Sequence, residues 1–358
     1  MSKLRVGIAF HEKYRQYDFG PGHPFRGDRF DNALQFFRKH GLLELPNVCI
    51  LKPEIVKMKD LLRVHDKSYI DLIFDFAEKG RAYDLDTPIS PSILEGALYI
   101  AGGAIKIGES ILNGEIERGI SLGGGLHHAG ESFGGGFCLF NDVAVLARYL
   151  QEKHGIRRVL IFDYDVHAGN GTSDIFYSDP SVLLVSAHQD PKTIFPGSGF
   201  VEQIGRGDGE GYNVNLPLPP GTGDSTYFFA ITRILLPLAK EFKPDMILAN
   251  GGSDSHFADI LGSLGLTVGG FFRLSKLIGK MADENSQGRF ALLVGSGYNP
   301  QVLPPCWYAL AAGATDVEKA EATDPSEPPI EPPWCRERVQ DTVKKLRRIL
   351  KDHWKCFR

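Results

Sequence analysis

The chain has 358 residues, 42% of them hydrophobic and 23% charged, enough to bury a substantial core as one large or two ordinary domains. A net charge of -4 offers no general electrostatic case for nucleic acid or an anionic membrane, and no apolar run reaches the roughly 18 residues of a membrane-spanning helix. Five scattered cysteines, odd in number and without a Cys-x-x-Cys pair, argue for a reducing cytoplasm and against thiol-ligated zinc.

The first apolar run, 4–10, is too short for a signal peptide and is expected to be the first strand. Residues 20–29 are too rich in Gly and Pro for a regular element. Helices are expected over 30–40 and through most of 53–79, followed by a turn at 84–88. Ser90-Pro91 then starts a helix that runs to Leu112, with serine as N-cap and proline at the first helical position. Strand 119–122 leaves into Gly123-Gly124-Gly125-Leu126-His127-His128. Asn141 or Asp142 caps a helix with Val143, Leu146, Ala147 and Leu150 on one face, ending at Gly155.

Strands follow at 159–162 and 181–186, and 195–211 is a glycine-rich loop of a length that is usually functional or mobile. A helix around 224–241 precedes strand 245–249 and the turn Asn250-Gly251-Gly252-Ser253-Asp254. Residues 267–282 are helical, and strand 290–294 leaves into Gly295-Ser296-Gly297-Tyr298. Residues 316–333 are acidic and carry Pro325, Pro328, Pro329, Pro332 and Pro333, the composition of an extended strap. Over 336–358, Val339, Val343, Leu346 and Leu350 keep helical spacing amid Lys344, Lys345, Arg347, Arg348 and Lys351, which predicts a basic amphipathic helix docked on the body. The alternation as a whole predicts an α/β fold with a mostly parallel central sheet flanked by helices, and ligands beyond the carboxyl ends of its strands. A catalytic domain over 1–313 and an appendage over 314–358 are expected.

The chemistry concentrates at strand exits. In Val159-Leu160-Ile161-Phe162-Asp163-Tyr164-Asp165-Val166-His167 the apolar run turns polar, and Asp163, Asp165 and His167 are spaced two apart. In extended chain such residues point the same way, so two carboxylates and an imidazole converge where the strand ends. A divalent cation is the simplest reason for them to do so, because it turns carboxylate repulsion into ligation. The pattern of apolar strand, glycine turn and functional side chain recurs with His127/His128, Asp254 and Tyr298.

Taken together, His127-His128-Ala129, Gly136-Phe137-Cys138-Leu139-Phe140-Asn141-Asp142, Asp163-Tyr164-Asp165-Val166-His167, Phe195-Pro196-Gly197 and Gly297-Tyr298 resemble the histone deacetylase superfamily from about residue 5 to 310. The resemblance implies a single arginase-like α/β domain and metal-dependent removal of acyl groups, most often acetyl from lysine. It implies Asp165, His167 and Asp254 as Zn2+ ligands, a set that also tolerates Fe2+ or Co2+. His127 and His128 become the paired active-site histidines, with Asp163 orienting His127 and Asn170 partnering His128, and Tyr298 becomes the catalytic tyrosine. Gly136, Phe137 and Phe195 match the substrate channel, Asp86 its rim and Arg29 an internal arginine. Asp163, Asp165, His167 and Ser186 resemble a structural K+ site.

Departures narrow the reading. Asn170 in place of aspartate, within His-x-Gly-Asn-Gly-Thr, looks like the class II branch. Ala168 replaces a histidine common in the family, and Ile260 a proline. Leu261 stands where polyamine deacetylases carry a gatekeeper glutamate, which favours acyl-lysine over acetylpolyamines. The rival readings are hydrolysis of a small acylated amine, a two-metal ureohydrolase, and a silent acyl-lysine binder. Asp86 as a plain turn residue, Phe137 and Phe195 as core aromatics, and Cys138 as a small buried hydrophobe are the unspecialised alternatives. The expected partners are an acylated lysine peptide or small acylated amine, without nucleic acid or membrane, and the sequence allows a homo-oligomer.

Overall fold

The computed structural model describes residues 4–358. In chain order its elements are β1 (Val6–Ala9), α1 (Arg29–Lys39), β2 (Val48–Leu51), α2 (Met58–Leu61), α3 (Lys67–Lys79), α4 (Pro91–Leu112), β3 (Arg118–Leu122), α5 (Asp142–His154) and β4 (Val159–Asp163). There follow α6 (Asn170–Phe176), β5 (Val182–Gln189), β6 (Asn213–Leu218), α7 (Asp224–Phe242), β7 (Met246–Gly252), α8 (Val268–Asn285), β8 (Phe290–Ser296), α9 (Leu303–Gly313) and α10 (Pro333–Leu350). The strands form an eight-stranded sheet in the order β2-β1-β3-β8-β7-β4-β5-β6. The β1 pairs with β2 and β3, the β4 pairs with β5 and β7, and the β5–β6 pair are all parallel. This is the expected α/β fold. Strands β4, β5 and β7 are buried at every residue, which is why they read as continuous apolar runs rather than as alternation.

The chain divides into two compact units. The first holds residues up to Ile156 with Asn170–Ile175 and Ala291–Gly295. Here Ser90 Oγ accepts from Ile93 N at 3.2 Å and Pro91 takes the first helical position of α4, as the sequence predicts. Asn141, rather than Asp142, caps α5: its Oδ1 accepts from Ala144 N at 2.9 Å, which leaves the Asp142 carboxylate free for another task.

The expected helix through 53–79 is instead the single turn α2 and the separate α3. The linking residues are held by tertiary bonds that a continuous helix would break. His65 Nδ1 donates to Gly130 O at 2.8 Å, His65 Nε2 accepts from Asn141 N at 3.0 Å, and Asp66 N donates to Glu131 O at 2.8 Å.

The second unit holds Arg157–Gly169, Phe176–Phe290 and Ser296–Arg358. Strands β2 and β6 lie at the two ends of the strand order and were not evident in the sequence. In β6, Asn213, Asn215 and Pro217 interrupt the apolar pattern, and an edge position is where a strand tolerates proline. The two asparagines have work of their own: both side-chain amides donate to Gln203 O, at 2.6 and 2.8 Å. Gln203 Oε1 in turn accepts from Gly199 N and Phe200 N, so the long loop is internally braced. Helix α10 buries Val339, Val343, Leu346 and Leu350 as predicted but stops at Leu350. Beyond it, Trp354 donates from Nε1 to Gly211 O at 2.8 Å and packs edge-on against Tyr212 and Phe242. No helix among the described residues is long and apolar enough to cross a membrane.

Candidate active site

Strand β4 ends at Asp163, whose Oδ1 accepts from Asp165 N at 3.2 Å and whose Cα pairs with Ser186 of β5 and Asn250 of β7. The chain beyond it brings round Asp165 and His167, and the turn after β7 brings Asp254. One ligand atom from each of these three residues lies within 4.8 Å of the others, all three residues being buried. His167 Nδ1 is 3.0 Å from Asp165 Oδ1 and 3.4 Å from Asp254 Oδ2. Asp254 Oδ2 is buried and receives no well-formed hydrogen bond.

Burial and the like charge of Asp165 push Asp254 upward. Burial alone would push His167 down, but the two carboxylates outweigh it and raise it. Asp254 is thus a buried carboxylate short of positive charge. Two hard oxygens, one imidazole and an unsatisfied buried lone pair fit a divalent cation.

The turn after Asp254 carries a second function. Asp259, also buried, accepts from Tyr298 N at 2.7 Å and Asn299 N at 3.3 Å through Oδ2, and from Leu261 N at 3.0 Å through Oδ1. Asn299 Nδ2 ties back to Ala258 O at 2.6 Å. One carboxylate therefore sets the backbone of both Tyr298 and Leu261. The two loops touch closely at Gly252 and Gly297, where a Cβ would run into Ser296 O and Ser253 Oγ.

In the first unit, His127 Nε2 and His128 Nε2 face each other at 3.1 Å. Asn170 Oδ1 lies 2.7 Å from His128 Nδ1. An amide oxygen only accepts, so this bond places a proton on Nδ1 and makes Nε2, the atom that faces His127, the accepting nitrogen of a neutral His128. The loop ahead of the histidines is held by Asp142, which accepts from Gly125 N at 3.0 Å and Leu126 N at 2.8 Å. Burial raises Asp142 to about 6 against those same hydrogen bonds.

Phe137 adopts a left-handed backbone conformation, φ 68°, after Gly136 at φ 54°. Its N–H donates to Thr87 Oγ1 at 3.3 Å, and its carbonyl accepts from Tyr17 Oη at 2.5 Å. His23 stands edge-on to the Phe137 ring at 4.7 Å and donates from Nε2 to Asp86 O at 3.1 Å, so the segment bearing Asp86 is tied to Phe137. Asp86 itself is exposed, as are Phe195 at 53% and Leu261 at 37%, which removes Phe195 from the core. Cys138 is buried, in line with a small hydrophobe. Arg29 is buried and donates to Arg26 O, Gly295 O and Pro24 O. Ser186 Oγ and His188 Nδ1 are 2.8 Å apart. Because His188 Nε2 donates to Gly199 O at 2.9 Å, Nδ1 must accept the Ser186 hydroxyl proton.

Sequence reasoning missed Asp142 as a loop anchor, Asp259, His188 and His23. Asp259 left a faint signal, a second acidic residue in the turn that already carries Asp254. Asp142 acts on a loop 16 residues away and His23 on a segment 63 away, and His188 joins its near neighbour Ser186 to Gly199 across 11 residues, pairings that no local pattern reports.

The class defined so far is a parallel α/β protein whose strand exits carry a buried two-carboxylate, one-imidazole cluster with the donor set of a metal site. Comparison with known proteins makes this specific. A model of the histone deacetylase domain matches residues 23–314. The "Probable deacetylase" of Archaeoglobus fulgidus is 34% identical over 99% of both chains. The acetoin utilization protein AcuC of Staphylococcus aureus is 33% identical over 85% of this chain and 80% of its own. The crystal structure of the HDA15 HD domain superposes with a TM-score of 0.86 at 26% identity, covering 99% of this chain and 98% of that one. The chain belongs to the histone deacetylase family, and it is an enzyme of the deacetylase/amidohydrolase type.

Proposed function

We propose that the chain hydrolyses an acyl amide, acetyl by preference, on lysine side chains of proteins or peptides, with Zn2+ held by Asp165, His167 and Asp254. The observation that carries the reading is the buried convergence of those three ligand atoms within 4.8 Å. When bound, the cation supplies Lewis acidity: it withdraws electron density from the acyl carbonyl and acidifies water to a pKa of about 7. Fe2+ or Co2+ would suit the same donors.

The side chains do the rest. His128, with Nδ1–H held by Asn170, takes a proton from water at Nε2 and returns it to the departing amine, with His127 sharing the charge across the 3.1 Å Nε2–Nε2 contact. Asp163 orients His127. The Tyr298 hydroxyl donates to the oxyanion that develops on the acyl oxygen. Phe137, Gly136 and Phe195 flank the methylene stem of the lysine, Asp86 accepts substrate backbone N–H groups, and Leu261 offers apolar surface where a second ammonium would find no partner. Asp163, Asp165, His167 and Ser186 hold a structural K+. The Ser186 hydroxyl spends its proton on His188, so its lone pairs face outward for such an ion.

The machinery lies in 1–313, with 314–358 as a docked tail, in a cytoplasmic protein. A small acylated amine is the second reading, favoured by nothing in the Leu261 surface. The test is acetate release from an acetyl-lysine peptide by metal-stripped enzyme with and without Zn2+. Turnover restored by Zn2+ and strongly reduced, to a residual measurable rate, in Tyr298→Phe is expected. Metal uptake without release from either peptide or small acetylated amines would overturn the proposal in favour of a silent binder, and about two metals per chain would point to a ureohydrolase.

A further inference from the structure

The acidic strap lies past residue 314, where the match to the family domain ends. One of its carboxylates nevertheless reaches the turn between Asp254 and Asp259. Asp324 Oδ1 is 2.8 Å from His256 Nε2 and accepts from Val268 N at 2.9 Å, the first residue of α8. His256 is fully buried, and its ring stacks on Phe257 with centroids 4.3 Å apart. Its Nδ1 accepts from Ala258 N at 3.0 Å, so the ring proton sits on Nε2 and is given to Asp324.

The His256 backbone closes the same turn: its N–H donates to Ser253 O at 3.0 Å and its carbonyl accepts from Asp259 N at 3.0 Å. His256 is thus a keystone between Asp254, a cluster member, and Asp259, which sets Tyr298 and Leu261. Without a carboxylate at Asp324, its Nε2–H would be left buried and unpaired, and the turn would pay by rearranging.

We infer that Asp324 is a positioning residue, holding the 253–261 turn through His256 and so fixing Asp254 and Asp259. The inference rests on reading Asp254 as a metal ligand. The strap is then part of the apparatus of the site, contributed by chain outside the matched domain. Another of its carboxylates provides a control. Glu331 accepts from Thr226 Oγ1 at 2.5 Å and Gly223 N at 3.2 Å at the start of α7, docking the strap without touching this turn.

The experiment uses the full chain loaded with Zn2+ and excess chromophoric chelator, reading the rate of metal transfer alongside Tm, kcat and KM. Asp324→Ala should release metal about tenfold faster, at the low end of what removal of an outer partner does to metal sites, and lower kcat more than KM. Asp324→Asn keeps the one oxygen on which both donors converge but loses its charge, so it should fall between; it carries the test if the alanine variant does not fold. Glu331→Ala should lower Tm yet release metal at the wild-type rate. In a His256→Ala background, Asp324→Ala should accelerate release no further. A folded Asp324 variant that releases metal like wild type overturns the inference, as does Glu331→Ala accelerating release equally. A wild-type chain that takes up no metal overturns both it and the proposed function.

Discussion

Replacing Asp259 with Asn leaves the shape of the side chain intact but swaps one acceptor oxygen for a donor. The native carboxylate satisfies three backbone N–H groups, with Tyr298 at 2.7 Å, Leu261 at 3.0 Å and Asn299 at 3.3 Å. The amide can keep its oxygen toward Tyr298 and Asn299, and then its NH2 faces the Leu261 N–H. One charge-assisted bond of about 1.5–3 kcal/mol is lost and the other two weaken. Removing a buried charge returns part of this, because burial raises the Asp259 carboxyl above its ordinary value. The net cost is about 2 kcal/mol, which for a chain of this length is about 3 °C in Tm.

The functional loss should be larger than the stability loss. A shift of the Tyr298 backbone would misalign the oxyanion donor we propose, and misplacement by about 1 Å can cost roughly 100-fold. We expect Asp259→Asn to lower kcat on an acetyl-lysine peptide by about 10- to 100-fold with a small change in KM, at unchanged metal content. If Asp259 acts through Tyr298, the substitution should lower kcat little further in a Tyr298→Phe background. An equal drop in both backgrounds, or a lowered Tm with native kcat, would refute the reasoning.

Three further outcomes follow from the geometry. Asn170→Asp puts a carboxylate beside His128 Nδ1, favours the imidazolium, and should move the acidic limb of the kcat–pH profile upward; an unmoved limb counts against His128 as base. Burial depresses His65 from 6.5 to about 4, so the unfolded chain takes up its proton first. The stability it contributes is complete above pH 6.5 and is lost as pH falls through 6.5 toward 4, about 3 kcal/mol in all; denaturant titrations should show a shallower decline over that window for His65→Gln than for wild type. Leu261→Glu should raise kcat/KM for acetylpolyamines relative to acetyl-lysine peptide, and an unchanged ratio would remove Leu261 from specificity.

Much of the framework was readable along the chain because it depends on neighbours. The buried strands of the sheet centre are unbroken apolar runs, the Ser90-Pro91 start of α4 is a local capping device, and the stripe of α10 repeats at helical spacing. The exits bearing His127/His128, Asp165/His167, Asp254 and Tyr298 were legible for the same reason, since each is a strand followed at once by glycine and polar residues. What the tertiary structure decided is which partner each buried polar group finds. Asn141 and Asp142 are adjacent and both plausible caps; only the fold sends Asn141 to α5 and Asp142 to the loop before His127. Local propensity favoured helix through 62–66, and bonds to Gly130, Glu131 and Asn141 outweighed it. Asp259 finds Tyr298 at a separation of 39 residues, and His256 finds Asp324 at 68. A buried donor or acceptor must be satisfied by whatever the folded chain brings beside it, and that pairing is settled in three dimensions, outside the reach of any local pattern.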